Sequence, residues 1–177
     1  MANAAARRIM PAQKPGKSQQ EVATPWDFID AVEARFGRID WDLAATAENC
    51  VVRDADGSRL PCFYSREQDS LKQDWGRITG LLYLNPEFAD FEPWVRKAAE
   101  EATPTSRVLV LTKASVDSNW WWKWCQPHAL TWALTPRITF VGHEIGFPGG
   151  LALHLFGLGA TGWGRWRWKG KERVVAE

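Results

Sequence analysis

The 177-residue chain is sized for one domain with a proper core, and its net charge of +1 hides two basic ends. Residues 1–20 carry Arg7, Arg8, Lys14 and Lys17 with no acid, and residues 161–177 carry five cations against Glu172 and Glu177, which suits either a polyanion or plain solvation. Scattered cysteines (Cys50, Cys62, Cys125), histidines outside any ligand spacing, and the lack of a span-length apolar run or signal-peptide core argue against a disulfide scaffold, a metal site and a membrane protein, so a soluble cytoplasmic protein is expected.

Residues 1–20, rich in Ala, Gln, Lys and Pro, read as a disordered basic arm. Thr24-Pro25 then opens a helix, with Thr24 as N-cap and Asp27 favourable at its positive end. Phe28, Val32 and Phe36 recur along one face, and Gly37 closes the helix. Residues 39–45 read as a short strand running into small side chains, and residues 50–75 as irregular chain broken by Gly57 and Pro61. A βαβ pattern follows: a buried strand over 81–84, an amphipathic helix over 90–102 and a second buried strand over 107–112. Residues 119–125 read as a helix, and 130–134, 138–141 and 151–156 as strands, with a glycine-rich loop over 142–150. Twelve tryptophans are far above the usual share. Trp120, Trp121, Trp122 and Trp124 cover both faces of one helix and cannot all be core. The run from Trp163 to Lys169 alternates aromatic and basic residues, the period of an edge strand. These elements make a three-layer α/β fold.

The run Asn85-Pro86-Glu87-Phe88 carries the chemistry. It follows an apolar strand, and open α/β sheets bind ligands at the carboxyl ends of their strands. An amide, a rigid turn and a flat ring at that edge are together suited to gripping a planar ring that bears an amine. Such an amine is a poor nucleophile because its lone pair is delocalised into the ring. Two acceptors pulling on its N–H groups, the Asn85 side-chain oxygen and the Pro86 carbonyl, encourage the nitrogen toward sp³ and free the pair. Phe88 can stack on the ring and fix its plane, a contact worth roughly 1–3 kcal/mol for a base on an aromatic. The catalysis is orientation and electrostatics, with no acid or base of shifted pKa required.

Asn-Pro-x-Phe after a strand resembles the Asp/Asn/Ser-Pro-Pro-aromatic motif of methyltransferases that modify amino nitrogens with S-adenosylmethionine, departing from it at Glu87. Around it, in order, stand Thr24-Pro25-Trp26, Trp41-Asp42-Leu43-Ala44-Ala45 with Glu48-Asn49, Cys62-Phe63-Tyr64-Ser65, and Gln68-Asp69-Ser70-Leu71. Asp74-Trp75, Pro93-Trp94, Ala114-Ser115-Val116 with Asn119-Trp120, and residues 137–142 continue the series. From about residue 24 to 168 the chain is similar to the small phage-type DNA N6-adenine methyltransferases related to bacteriophage Dam proteins. That resemblance implies a Rossmann-like methyltransferase fold of reduced size with a mostly parallel sheet over residues 21–160, followed by a basic Trp/Arg-rich segment, 161–177. It implies S-adenosylmethionine as cofactor, double-stranded DNA as partner, and Asn85, Pro86 and Phe88 as the catalytic group.

The resemblance also puts Asp42, Ala44 and Ala45 at the methionine end of the cofactor, with Thr24 and Pro25 bordering the same pocket. Asp69 either accepts from the cofactor or caps a turn, and Asp42 either serves the cofactor or caps a helix. No Gly-x-Gly loop is present; the small alanines stand in its place. Ser115, Asn119 and Arg137, near expected strand ends, are candidates to approach DNA or the target base. Arg165, Arg167 and Lys169 either stack against the sheet or meet a DNA backbone. At this length, recognition is either short and relaxed or completed by a homodimer. Two other readings stand beside the adenine enzyme: a catalytically silent relative that binds DNA or protein, and an enzyme acting on cytosine N4 or a protein glutamine.

Overall fold

The central strands are apolar at nearly every position, so both faces of one sheet must be covered. A computed structural model describes residues 22–170 and shows how. The proposed disordered arm, residues 1–20, and the last seven residues of the C-terminal segment lie outside the described residues. Helix α1 (Trp26–Phe36) precedes β1 (Trp41–Asp42). After irregular chain come β2 (Gly80–Leu84), α2 (Glu92–Glu101) and β3 (Ser106–Lys113). A π-helical turn (Trp121–Cys125), β4 (Ala129–Thr135), β5 (Leu151–Phe156) and β6 (Gly162–Arg167) complete the series.

The six strands form one sheet in the order β1-β2-β3-β5-β4-β6. Pairings β1–β2, β2–β3 and β4–β6 are parallel, whereas β5 runs against both β3 and β4. The sheet is therefore mixed, correcting the mostly parallel sheet expected from the sequence. Parallel neighbours need a crossover such as α2; β4 reaches β5 by a loop without a helix, so β5 returns antiparallel. The strand expected over 138–141 is instead part of that loop. Pro136 has no N–H to prolong the ladder, and the Val141 N–H bonds Ala23 O while Ile138 O accepts from Phe147 N.

Leu81, Tyr83, Leu109, Leu111, Leu153 and Leu155 share a core with Phe28, Ile29 and Val32 of α1. Leu82, Leu84, Val108, Val110 and Phe156 share the opposite core with Val95 and Ala98 of α2, Trp75 and Trp121. Each such leucine, fully buried, contributes about 1.5–3 kcal/mol relative to exposure. Register is fixed partly at Gly80, whose φ of +122° and approach to the Asp40 carboxylate leave no room for a side chain. That carboxylate accepts the Leu81 N–H at 2.8 Å. Within the second core, buried His154 joins three strands: its Nε2 meets Thr112 Oγ1 at 2.9 Å and its Nδ1 meets Thr131 Oγ1 at 2.8 Å.

Trp166 is buried against Phe28 and Phe36, and Trp168 meets Phe28 edge-on, while Trp163 lies 53% exposed against Trp121. The alternating tail is thus the sheet's edge strand β6. Among the described residues no helix is long and apolar enough to cross a membrane.

Candidate active site

Because β1, β2 and β3 are parallel, their carboxyl ends open on one rim, where Asp42, Asn85 and Lys113 emerge. The N-terminus of α1 reaches the same rim. Its N-cap is Pro25, without a side-chain cap bond, so the expected capping by Thr24 does not occur. The Thr24 hydroxyl is committed elsewhere: it lies 3.2 Å from the Tyr83 hydroxyl and accepts the Asn85 Nδ2–H at 3.4 Å. Tyr83 is buried, and desolvation holds its phenol well above the usual range, with the Thr24 bond opposing this. The phenol stays neutral and can donate. One end of the Asn85 amide is thereby fixed, and its Oδ1, also buried, has no protein hydrogen-bond partner. A buried acceptor without a partner costs about 1–3 kcal/mol, so its presence at a sheet rim calls for a ligand that donates there.

Two residues on, the loop sends its side chains in different directions. Glu87 lines a surface cleft of about 280 Å³ together with Leu43, Ala44, Tyr64, Ser65, Arg66, Asp69, Ser70 and Trp94. Phe88 instead enters an aromatic nest, its ring centroid 5.1 Å from Phe147, 5.4 Å from Phe91 and 6.2 Å from Phe140. The Lys113 ammonium sits 5.9 Å from the Phe88 ring centroid.

The expected cofactor residues separate into two groups. Ala44 and Asp69 face the cleft. Asp69 adopts a left-handed backbone (φ +49°), uncommon for a non-glycine residue, and pairs with Lys72 at 2.9 Å, which lowers its pKa. Asp42 is buried beneath the cleft loop: Oδ1 accepts the Ala44 N–H at 3.2 Å and Oδ2 the Val51 N–H at 3.1 Å. Desolvation pushes its pKa up to about 6 against the lowering effect of those two bonds. Its carboxylate shapes the turn that presents Ala44. Ala45 is buried in the α1-side core and bonds Tyr64 O, while Pro25 is half-buried at the start of α1.

Of the residues proposed to meet DNA, Ser115 and Asn119 follow β3 directly beside the Asn85 rim. The Ser115 carbonyl accepts from both the N–H and hydroxyl of Ser118, building the turn that leads to exposed Asn119. Arg137 is exposed just past β4. Arg165 and Arg167 are exposed on β6, and Lys169 pairs with Asp27 at 2.7 Å. Four strand spacings separate β2 from β6, on the order of 19 Å across the sheet, so the end of β6 at Arg167 lies well along the rim from β2. Among the described residues no cluster of His, Cys, Asp or Glu is arranged to hold a metal ion.

Sequence reading missed Tyr83, Lys113, Phe147 and most of the cleft lining. Tyr83 had a signal: a phenol inside an otherwise aliphatic buried strand needs a polar partner. Phe147 had none, since a phenylalanine in a glycine-rich loop does not announce what it packs against.

The sequence model of the family described as DNA N-6-adenine-methyltransferase (Dam) matches residues 12–148, most of the chain. A DNA N-6-adenine-methyltransferase of Escherichia phage T1 is 30% identical over 114 residues, which cover 64% of this chain and 44% of that protein. The match thus spans less than half the length of the phage T1 protein.

Proposed function

Since this chain belongs to the DNA N-6-adenine-methyltransferase (Dam) family, we propose that it is a phage- or prophage-encoded enzyme that transfers a methyl group from S-adenosylmethionine to N6 of an adenine flipped out of double-stranded DNA. Its fold is then a small, Rossmann-like methyltransferase, working in the cytoplasm of the host cell. The observation that carries this reading is the buried, unpartnered Asn85 Oδ1, with the amide held from behind by Thr24.

The cleft suits the donor chemically. Asp69 and Glu87 bring negative charge, Arg66 and Ser65 offer hydrogen bonds, and Leu43, Tyr64 and Trp94 supply apolar and aromatic surface. Those residues would hold the cofactor, with Asp42 bracing the loop beneath it. When bound, S-adenosylmethionine supplies an electrophilic methyl carbon on a positively charged sulfur.

The chain's own groups act on the adenine. Asn85 Oδ1 accepts one N6–H and the Pro86 carbonyl accepts the other, localising the lone pair on nitrogen. Phe88, steadied by Phe147 and Phe140, stacks on the purine and sets its plane. The proton leaving N6 needs no dedicated base, because the nitrogen carries a positive charge once methylated and is strongly acidic until it sheds that proton. Lys113, Arg137 and Arg167 along the rim meet phosphates.

Incubation with tritiated S-adenosylmethionine and unmethylated DNA, followed by digestion to nucleosides, tests the reading. Label is expected in N6-methyladenine, and Asn85→Ala is expected to reduce it by about 10²–10³-fold, as for loss of one preorganised polar contact to a reacting group. Label in N4-methylcytosine, or on a protein glutamine, would redirect the assignment. A chain that binds neither donor nor DNA would refute it.

A further inference from the structure

Glu87 joins the loop that holds the amine to the cleft that suits the donor. Its peptide follows Pro86 directly, and of the residues that line the cleft it is the one beside the Asn85-Pro86 pair. The side chain is half-buried, and its carboxylate forms no ion pair or hydrogen bond among the described residues. The other acid of the lining is already committed, since Asp69 pairs with Lys72 at 2.9 Å. Arg66 supplies the cleft's cation, and its guanidinium also forms no ion pair or hydrogen bond among the described residues.

The chemistry of transfer decides which end of the cleft takes the sulfur. One S–C bond breaks as one N–C bond forms, so the methyl carbon must lie between sulfur and N6, about 3–3.5 Å from the nitrogen before reaction. That nitrogen is held by Asn85 Oδ1 and the Pro86 carbonyl. The sulfur therefore belongs at the Pro86 end, where the lining residue is Glu87, its Cα about 3.8 Å along the chain from that of Pro86. Donor and product differ in charge at this one atom. The bonding pair stays on sulfur, the sulfonium becomes a neutral thioether, and the positive charge departs with the N6 proton. The ammonium, carboxylate, ribose and adenine are common to both molecules.

Resting on the function proposed above, we infer that Glu87 is the residue by which this site tells donor from product: its unpaired carboxylate favours the sulfonium over the thioether, and so eases release of S-adenosylhomocysteine after each turnover. The motif that this run resembles has a proline here, which carries no charge. The cleft is open to water, so screening keeps the preference modest, about two- to fivefold.

Calorimetric titration of the full chain with S-adenosylmethionine and, separately, with S-adenosylhomocysteine reads the ratio of the two dissociation constants. Glu87→Gln is expected to weaken the donor by about two- to fivefold and to leave the product unchanged. Glu87→Lys reverses the charge and should move the ratio about twice as far on a logarithmic scale. The difference between wild type and Glu87→Gln should fade as salt is raised to roughly 1 M. Arg66→Gln removes a charge of the same cleft that is not beside Pro86, so it should leave the ratio where it is. Melting curves without ligand show that each variant is folded. An unchanged ratio in Glu87→Gln, or a ratio that moves as far in Arg66→Gln, would overturn the discrimination while leaving the methyltransferase reading intact. A wild type that binds neither ligand would overturn both.

Discussion

Thr24→Val removes one hydroxyl and keeps the shape, so it isolates the contact that orients Asn85. In the native chain Thr24 Oγ1 serves two groups, the Tyr83 hydroxyl at 3.2 Å and Asn85 Nδ2 at 3.4 Å. Valine leaves the Tyr83 phenol buried without its partner, which costs about 1–3 kcal/mol. It also frees the Asn85 amide to rotate. If that contact is an ordinary hydrogen bond worth about 0.5–1.5 kcal/mol, methyl transfer slows by about 2–13-fold. Tyr83→Phe should be milder in both respects, because Thr24 still holds Asn85. In Thr24→Val/Tyr83→Phe no orphan phenol remains, so the double variant should be at least as stable as Thr24→Val while its rate stays as low. Urea unfolding followed by tryptophan fluorescence gives the stabilities, and initial rates with tritiated donor give the transfer. Additive stability losses in the double variant, or a Thr24→Val rate equal to wild type, would refute the relay.

The pH dependence of stability should carry two opposed contributions. Burial holds the His154 pKa down at about 3, below its ordinary 6.5, so the unfolded chain takes up that proton first. Stability falls as pH drops below 6.5, by about 2 kcal/mol at pH 5. Asp42, raised to about 6 by burial, works the other way: the folded state gains as pH falls through 6, about 1.4 kcal/mol by pH 5. The wild type should therefore lose well under 1 kcal/mol between pH 7 and 5, whereas Asp42→Asn, lacking the compensating gain, should lose about 2 kcal/mol on that interval in urea titrations at each pH. Glu87→Gln should weaken S-adenosylmethionine binding about two- to fivefold by calorimetry, the modest effect of one charge facing solvent, with a smaller loss at high salt.

Much of the frame was legible because it rests on periodicity. Leu81–Leu84 and the run over 107–112 alternate between two buried faces, and α2 shows a clean apolar stripe, so the βαβ unit follows from hydrophobic patterning. The direction of β5 was not legible. Leu151–Phe156 is apolar at nearly every position, and such a run pairs equally well in either sense until its neighbours are known. The role of Asp42 shows a second limit. A carboxylate beside small residues fits either a ligand contact or a cap, and its bonds to the Ala44 and Val51 N–H groups follow from the fold of the following loop, which residue types alone do not show. Asn85 was legible because its neighbours constrain it. A buried strand ending at Asn-Pro puts an amide on the rim whatever else the chain does.

Whether Asn85 is kept for chemistry or for structure can be read from the sign of a stability change. A side chain kept for structure stabilises the fold, and truncating it lowers stability. Asn85 makes one 3.4 Å bond to Thr24 and leaves a buried carbonyl oxygen unpartnered. Truncation to alanine forfeits about 0.5–1.5 kcal/mol from the first and recovers about 1–3 kcal/mol from the second. Asn85→Ala should therefore be as stable as the wild type or up to about 2 kcal/mol more stable, while methyl transfer collapses. Added donor and DNA should raise the melting temperature of the wild type more than that of the variant, since only the wild type offers an acceptor to the flipped amine. An Asn85→Ala protein that is more than about 1 kcal/mol less stable than its parent would mean that the amide is a structural brace, and the empty acceptor would no longer point to a substrate.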